Sequence, residues 1–343
     1  MKILRIVSLK DFSKKIIDKI KENPFDYFLV VAFIIVLGIV LFQRYILGWT
    51  DWQPWTGIGS YVVEDEKVIK GKTLWDLMEL LLIPLGGAYI AFRFSKTLKK
   101  NEQKIAEQRA KSEQELSKDR QREDALQSYF NQISELLLRK DGDLKVSKPK
   151  DEIRVVARTR TLSTLRMLDG TRKGQLLQFL KEANLIERDN SIVSLENADL
   201  TNMQMNYGNL SNIELVKVKL SNSKLYGTNL SNSNLQKSDF WSSSLINVIF
   251  DNSNLEGALF VDAVLDGAFF NSSHMKRCIL TGASLGLITM NNTNLERADL
   301  TNAKLYWVSI GEVNFRNVNF KDAKMPDGKI YDPEIHTLEK LTA

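Results

Sequence analysis

The chain has 343 residues, 43% of them hydrophobic, enough for more than one domain and a sizeable core. Its net charge of +5 is unevenly spread, with 12 basic against 10 acidic residues over 1–94, 22 against 16 over 95–190, and 13 against 16 from 191 onward. The single cysteine, Cys278, excludes an intrachain disulfide, and two histidines are too few for a His-rich metal centre.

Residues 1–24 carry seven basic side chains, and Leu9, Phe12, Ile16 and Ile20 fall among them at helical spacing. That is the pattern of an amphipathic helix lying on a membrane surface. Residues 27–42, YFLVVAFIIVLGIVLF, are uncharged and with their apolar shoulders reach the roughly 20 residues that cross a bilayer. Trp49, Trp52 and Trp55 crowd the exit as interfacial anchors. The run is too long for a cleavable signal peptide, and no small-residue cleavage site follows it. A weaker second span is 78–94, MELLLIPLGGAYIAFRF. Pro84 is tolerated in a membrane helix, and Gly86 with Gly87 permits close approach to the first span. Glu79 is either a functional intramembrane carboxylate or, with Asp76 beside it, a residue of the headgroup boundary. Lys and Arg crowd the flanks 1–24 and 93–104, whereas 50–74 has three lysines against four acids. By the positive-inside rule both termini lie in the cytoplasm, and the expected location is an inner membrane, plasma or thylakoid.

From 95 to 124 the chain is rich in Lys, Glu, Gln and Arg without Pro or Gly, which predicts a helical stalk. Leu98 and Ile105 begin a heptad that Ser112 and Asp119 do not continue, so self-association through the stalk or the membrane helices stays open. A helical domain is expected over 125–190, with one apolar stripe from Leu126 to Leu137 and another from Leu176 to Ala183. Asp141-Gly142 and Asp169-Gly170 read as helix-ending turns. Arg154, Arg158 and Arg160 form a candidate anion-binding cluster for lipid, nucleotide or nucleic-acid phosphate. The competing reading is internal pairing, because no phosphate-cradling glycine loop accompanies them.

From Leu195 to Met325 every fifth residue is Leu, Phe, Met or Ile, 27 times without a slip. Two residues before most of these stands a small or β-branched side chain, such as Ala198, Thr228, Ser238 or Ala263. Neither a helix nor a strand has this period. The segments ADL at 198–200, GTNL at 227–230, NSNL at 252–255 and ERADLTNAKL at 296–305 resemble the pentapeptide-repeat family. The resemblance implies a right-handed quadrilateral β-helix in which each pentapeptide makes one side and four make a coil. The large residue and the small one two before it would point inward. The fold class expected is therefore a membrane-anchored α + β chain, with two transmembrane helices, a helical stalk, a small helical domain, and the solenoid over 191–325. A C-terminal cap over 326–343, with a turn and a short helix, would cover the open end. The whole layout resembles membrane-anchored pentapeptide-repeat proteins of bacteria, cyanobacteria in particular.

Stacking by 20 residues places Asn212, Asn232, Asn252 and Asn292 in an outer ladder whose amides bond to one another, and puts Cys278 in a small inward slot. His274 points outward. Trp241, Ile249, Leu259, Val261, Val264, Phe269 and Ile279 break the polar outer pattern and form a candidate partner surface or a seat for the helical domain. No catalytic set, metal-ligand spacing or cofactor motif is found, so a non-enzymatic membrane-tethered scaffold is expected, touching membrane lipid and a protein partner not named by the sequence. An anion-sensing regulator at the arginines is the alternative. DNA mimicry, with topoisomerase inhibition, is opposed by the near-neutral repeat, and no nucleic-acid partner is expected.

Overall fold

The computed structural model describes residues 61–64, 67–70, 74–138 and 144–336. The N-terminal flank, the first predicted span and Trp49, Trp52 and Trp55 lie outside them. The chain divides into two compact units, Met1–Gln108 and Arg109–Ala343. In the first, strand β1 (Tyr61–Glu64) pairs antiparallel with β2 (Lys67–Lys70), with Val62 opposite Ile69.

Helix α1, Leu74–Leu137, contributes to both units and runs unbroken through the second predicted span, the predicted stalk and the first helix of the predicted helical domain. Its composition explains the continuity, since good helix formers dominate and Pro84 is its one proline. Among the described residues no helix is long and apolar enough to cross a membrane. Glu79, Arg93 and the pair Gly86 and Gly87 dilute the stretch 78–94. A Cβ built on either glycine meets no atom within 4 Å, and the first span, their expected neighbour, lies outside the described residues.

In the second unit, α1 buries Leu126, Tyr129, Ile133 and Leu136, one side chain per turn. Helix α2 (Glu152–Met167) meets this stripe with Ala157, Thr161 and Leu165. The buried Tyr129 and Thr161 hydroxyls bond at 2.7 Å, and Thr161 also donates to the Ala157 carbonyl at 2.8 Å, so neither polar group is orphaned. Burial pushes the Tyr129 phenol well above its usual range despite that bond.

Asp169-Gly170 starts a helix where the sequence suggests an ending. The Asp169 carboxylate accepts from the Arg172 backbone N–H at 3.0 Å and caps α3 (Gly170–Glu182), leaving only Leu168 and Asp169 between α2 and α3. The Arg172 guanidinium binds Asp119 and Glu123 of α1, each at 2.9 Å, and Asp169 as well. Burial opposes ionisation of Asp169, but the Arg172 hydrogen bonds outweigh it and hold the carboxyl below the usual range. Glu123, bonded by Gln127 and Arg172, shifts the same way. Carboxyls depressed in the folded state stabilise it fully above about pH 4 and lose that contribution as pH falls through the folded values. Thermal melts between neutral and acid pH should therefore show Arg172→Met losing less stability on acidification than the wild type.

After a short antiparallel hairpin, β3 (Ile186–Glu187) and β4 (Asn190–Ser191), the chain coils. Parallel bridges recur every 20 residues, Asp199 to Lys219, Gln204 to Lys224, Asn209 to Asn229 and Glu214 to Asn234, which defines four faces. We number them first to fourth in that order. Backbone bonds stitch each coil to the next; Leu200 N–H donates to Lys219 O at 2.8 Å, and Lys219 N–H to Ala198 O at 3.0 Å. Every fifth residue from Asn197 to Asp322 has positive φ, so each corner is a left-handed turn. Asn, Asp and Gly recur there because they tolerate that region best. This corrects the expected Asn ladder: Asn212, Asn232, Asn252 and Asn292 are corner residues with φ of 53–59°, and no hydrogen bond joins one to the next. Amide ladders do form elsewhere, as where Asn291 donates to Asn271 at 2.8 Å.

The bore is dry and filled. Phe240 stacks on Phe260 with centroids 4.9 Å apart, Phe250 on Phe270 at 5.1 Å, and Phe250 meets Phe260 edge to face at 5.9 Å across the prism. Inward hydroxyls donate to the backbone of the preceding coil, Ser243 to Leu220 O and Ser253 to Leu230 O, both at 2.7 Å.

Helix α3 and β3 cover the N-terminal end of this prism. Gln204 N–H donates to Gly170 O and Glu214 N–H to Ile186 O, each at 2.9 Å. Lys173, 6% exposed, donates to Thr201 O at 3.0 Å. At the other end Tyr331 stacks on Phe320 at 5.0 Å and Ile330 bridges Lys324. Among the described residues this cap is built of turns, without the expected short helix.

Candidate functional site

The outer faces carry whatever the solenoid does, because its interior is sealed. Cys278 sits there at 0% exposure, donating to Leu255 O at 2.9 Å, and burial pushes its thiol up to about 12. It is a core residue. His274 is an outward bridge residue of the fourth face, paired with Asn254 and Asn294.

The seven apolar outer residues sort onto three faces, not one patch. Leu259 and Ile279 bridge each other on the first face, and Trp241 and Val261 occupy its corner with the second. Val264 is on the second face. Ile249 and Phe269 bridge each other on the third, the side opposite Leu259 and Ile279. Trp241, Val264, Phe269 and Ile279 are exposed and the other three half-buried. Helices α2 and α3 sit on the first coil and leave all seven uncovered.

Of the three candidate arginines, two are structural ties. Arg154 donates to Ser147 Oγ at 2.9 Å, to Ser147 O at 2.6 Å and to Ser191 O at 3.4 Å; Arg158 donates to Glu196 O at 2.9 Å. Arg154 ties α2 to the segment before it and to β4, and Arg158 ties it to the start of the repeat. Arg160, half-buried on the same helix, makes no such tie. Among the described residues no group of His, Cys, Asp or Glu could hold a metal ion.

Three large exposed side chains at one corner were not singled out from the sequence, Tyr207 in the first coil and Leu287 and Trp307 in the last ones. Leu287 and Trp307 stand 62% and 78% exposed at the corner of the second and third faces, with φ of 57° and 49°. Both occupy the corner position otherwise dominated by Asn, Asp and Gly, and that substitution is the signal that would have found them. Charge is also unevenly placed. Lys217 with Glu196 (2.7 Å), Lys276 with Glu296 (3.1 Å) and Arg277 with Glu256 (3.7 Å) pair along the corner of the fourth and first faces. Lys224, Lys304 and Lys324 on the second face are exposed and make no ion pair among the described residues.

A four-sided parallel β-helix with a helical cover on its first coil defines the class of protein, a parallel β-solenoid. Its repeats are pentapeptide repeats. The model of that family matches eight copies, over residues 194–232, 223–260, 243–282 and 288–317. Similar solved structures include HetL, a pentapeptide repeat protein involved in heterocyst differentiation regulation from the cyanobacterium Nostoc sp. strain PCC 7120, at 17% identity over 45% of this chain and 98% of that one, with a TM-score of 0.19. Rfr23, a pentapeptide repeat protein from the cyanobacterium Cyanothece 51142, matches at 19% identity over 39% and 91%, with a TM-score of 0.19. QnrB1, a plasmid-mediated fluoroquinolone resistance protein, matches at 16% identity over 38% and 68%, with a TM-score of 0.20. No curated protein matches the sequence.

Proposed function

We propose that this chain is a non-enzymatic, membrane-tethered scaffold whose β-helix presents a rigid face to a protein partner in the cytoplasm. The observation that carries the reading is the apolar strip of Leu259 and Ile279 on the first face, continued on the adjoining corner by Trp241, with Ile279 and Trp241 exposed. Solvent-exposed apolar side chains stacked on a flat, backbone-bonded surface lose little conformational entropy when a partner covers them. The tether in this reading is the uncharged run at residues 27–42, since 78–94 belongs to a helix that is not apolar enough to cross. A mimic of nucleic-acid phosphate needs dense negative charge, and the unpaired lysines of the second face oppose that alternative.

Crosslinking followed by capture from membranes tests the scaffold. Leu259→Asp with Ile279→Asp should reduce recovery of the partner at least about tenfold, the loss typical of a disrupted hot spot. Ile249→Asp with Phe269→Asp, on the opposite face, should leave it unchanged. Equal recovery with both pairs would remove the first face from consideration.

A further inference from the structure

We propose that the edge between the second and third faces, at the C-terminal coils, docks on the headgroup region of an anionic bilayer, burying Trp307 and Leu287 while Lys304 and Lys324 meet lipid phosphates. The inference rests on the tethered reading in one respect, that the tether supplies the surface.

The first observation is backbone strain at two exposed apolar residues. A bulky side chain in the left-handed region is disfavoured, and the solenoid does not need one there. In the coils stacked beneath Leu287 and Trp307 the same corner position holds Gly267, Asn247 and Gly227, and in the first coil Tyr207, which is also exposed. Strain that the fold does not require, retained at a protruding site, points to a contact that uses it.

The second observation is charge. Lys304 and Lys324 are bridged neighbours on the second face, one coil apart, and neither makes an ion pair among the described residues, whereas Lys217, Lys276 and Arg277 of the opposite corner are paired with glutamates. Tyr306 adjoins Trp307 at the same corner. Aromatic rings beside free lysines on one edge match a lipid interface, where the rings settle at headgroup depth and the ammonium groups reach anionic phosphates.

The third observation is shape. Leu287 and Trp307 project from a corner of the prism, 62% and 78% exposed. A protein partner would need a complementary pocket to bury such a ridge, whereas a bilayer interface accepts it as it stands. The anionic surface is therefore favoured over an acidic protein.

A reporter placed beside the edge in the full chain tests this. Ser309 is exposed, two residues after Trp307 and bridged to Thr289, two residues after Leu287, so Ser309→Cys can carry a fluorescent label; the native Cys278 is buried and stays unlabelled. The labelled chain is reconstituted in vesicles of phosphatidylcholine, alone or mixed with phosphatidylglycerol, each containing nitroxide lipid. Quenching should appear in the mixed vesicles only and fade at high salt. It should vanish in Leu287→Asn with Trp307→Asn, whose melting temperature should equal or exceed that of the parent because the corner strain is relieved. Lys304→Glu with Lys324→Glu should abolish it too. Quenching that survives either pair, or that is absent in both vesicles from a chain resisting carbonate extraction, overturns the proposal while the tether stands. A chain released by carbonate yet quenched by added anionic vesicles refutes the tether and upholds the edge; one released and unquenched refutes both.

Discussion

Phe260→Ala should destabilise the β-helix by about 3–5 kcal/mol, the usual loss for a fully buried phenylalanine. Phe260 is at 0% exposure, stacked on Phe240 and edge-on to both Phe250 and Phe270, so its removal opens a void walled by three rings. Those rings belong to two opposite faces of the prism. They cannot close in without pulling apart coils held by backbone bonds of 2.7–3.0 Å, such as Phe250 N–H to Phe269 O and Ile249 N–H to Thr228 O. Phe269 supplies the control. It is the same residue type nine positions on, but 39% exposed on an outer face, and Phe269→Ala should cost less than about 1 kcal/mol. Denaturant titration followed by circular dichroism measures both, and hydrogen exchange of the stacked coils shows where the loss falls. Equal losses for the two variants would mean that the bore is not packed as described.

Gly170→Ala should detach the helical cover from the first coil. Intrinsic propensity favours the substitution, since alanine is better than glycine in a helix by about 1 kcal/mol. Contact opposes it more strongly. A Cβ at Gly170 would stand 1.9 Å from the Asn202 carbonyl oxygen, and one at Gly174 would stand 2.7 Å from the Gln204 carbonyl oxygen. Both obstacles are backbone, part of the bonded coil, and cannot swing aside as a side chain would. The seam must open, which costs the Gln204 N–H to Gly170 O bond and the buried Lys173 contact to Thr201 O. Overpacking of this kind costs about 1–3 kcal/mol beyond the propensity gain. Hydrogen exchange at Gln204 and Glu214 should rise well before the Phe stack is affected, and unchanged protection there would contradict the account.

The solenoid was legible in the sequence because its rule is strict. A single inward residue out of place would break a prism this narrow, so the five-residue rhythm survives along the whole coil. The outer faces were less legible. Twenty-residue stacking correctly pairs Leu259 with Ile279 and Ile249 with Phe269, but period alone does not say that the two pairs lie on opposite sides; that follows from counting four corners per coil. The Asn residues misled for a related reason. Their recurrence reports the backbone conformation of the corner, while a ladder of amides was the more familiar explanation. In the helical part, α2 concealed its buried face because Thr161 occupies the middle of the stripe and Val155 and Val156 are exposed. A polar residue satisfied by Tyr129 of another helix leaves no periodic trace. Asp169-Gly170 was ambiguous in the same way, since the pair both ends and caps helices, and the capping bond comes from the backbone N–H of residue 172, which leaves no side-chain signature.

The cover on the first coil gives the solenoid a polarity of assembly. A parallel coil has nothing to pair with until another already exists, and an isolated turn of twenty residues would gain too few bonds to hold its shape. Here Gly170 and Ile186 offer fixed carbonyl acceptors to Gln204 and Glu214, and they precede those residues in the chain. As the polypeptide leaves the ribosome, the helices are synthesised first and act as the seed on which the first coil crystallises. Each later coil then adds to a finished growth front, so the last coils should be the first to peel away under force or heat.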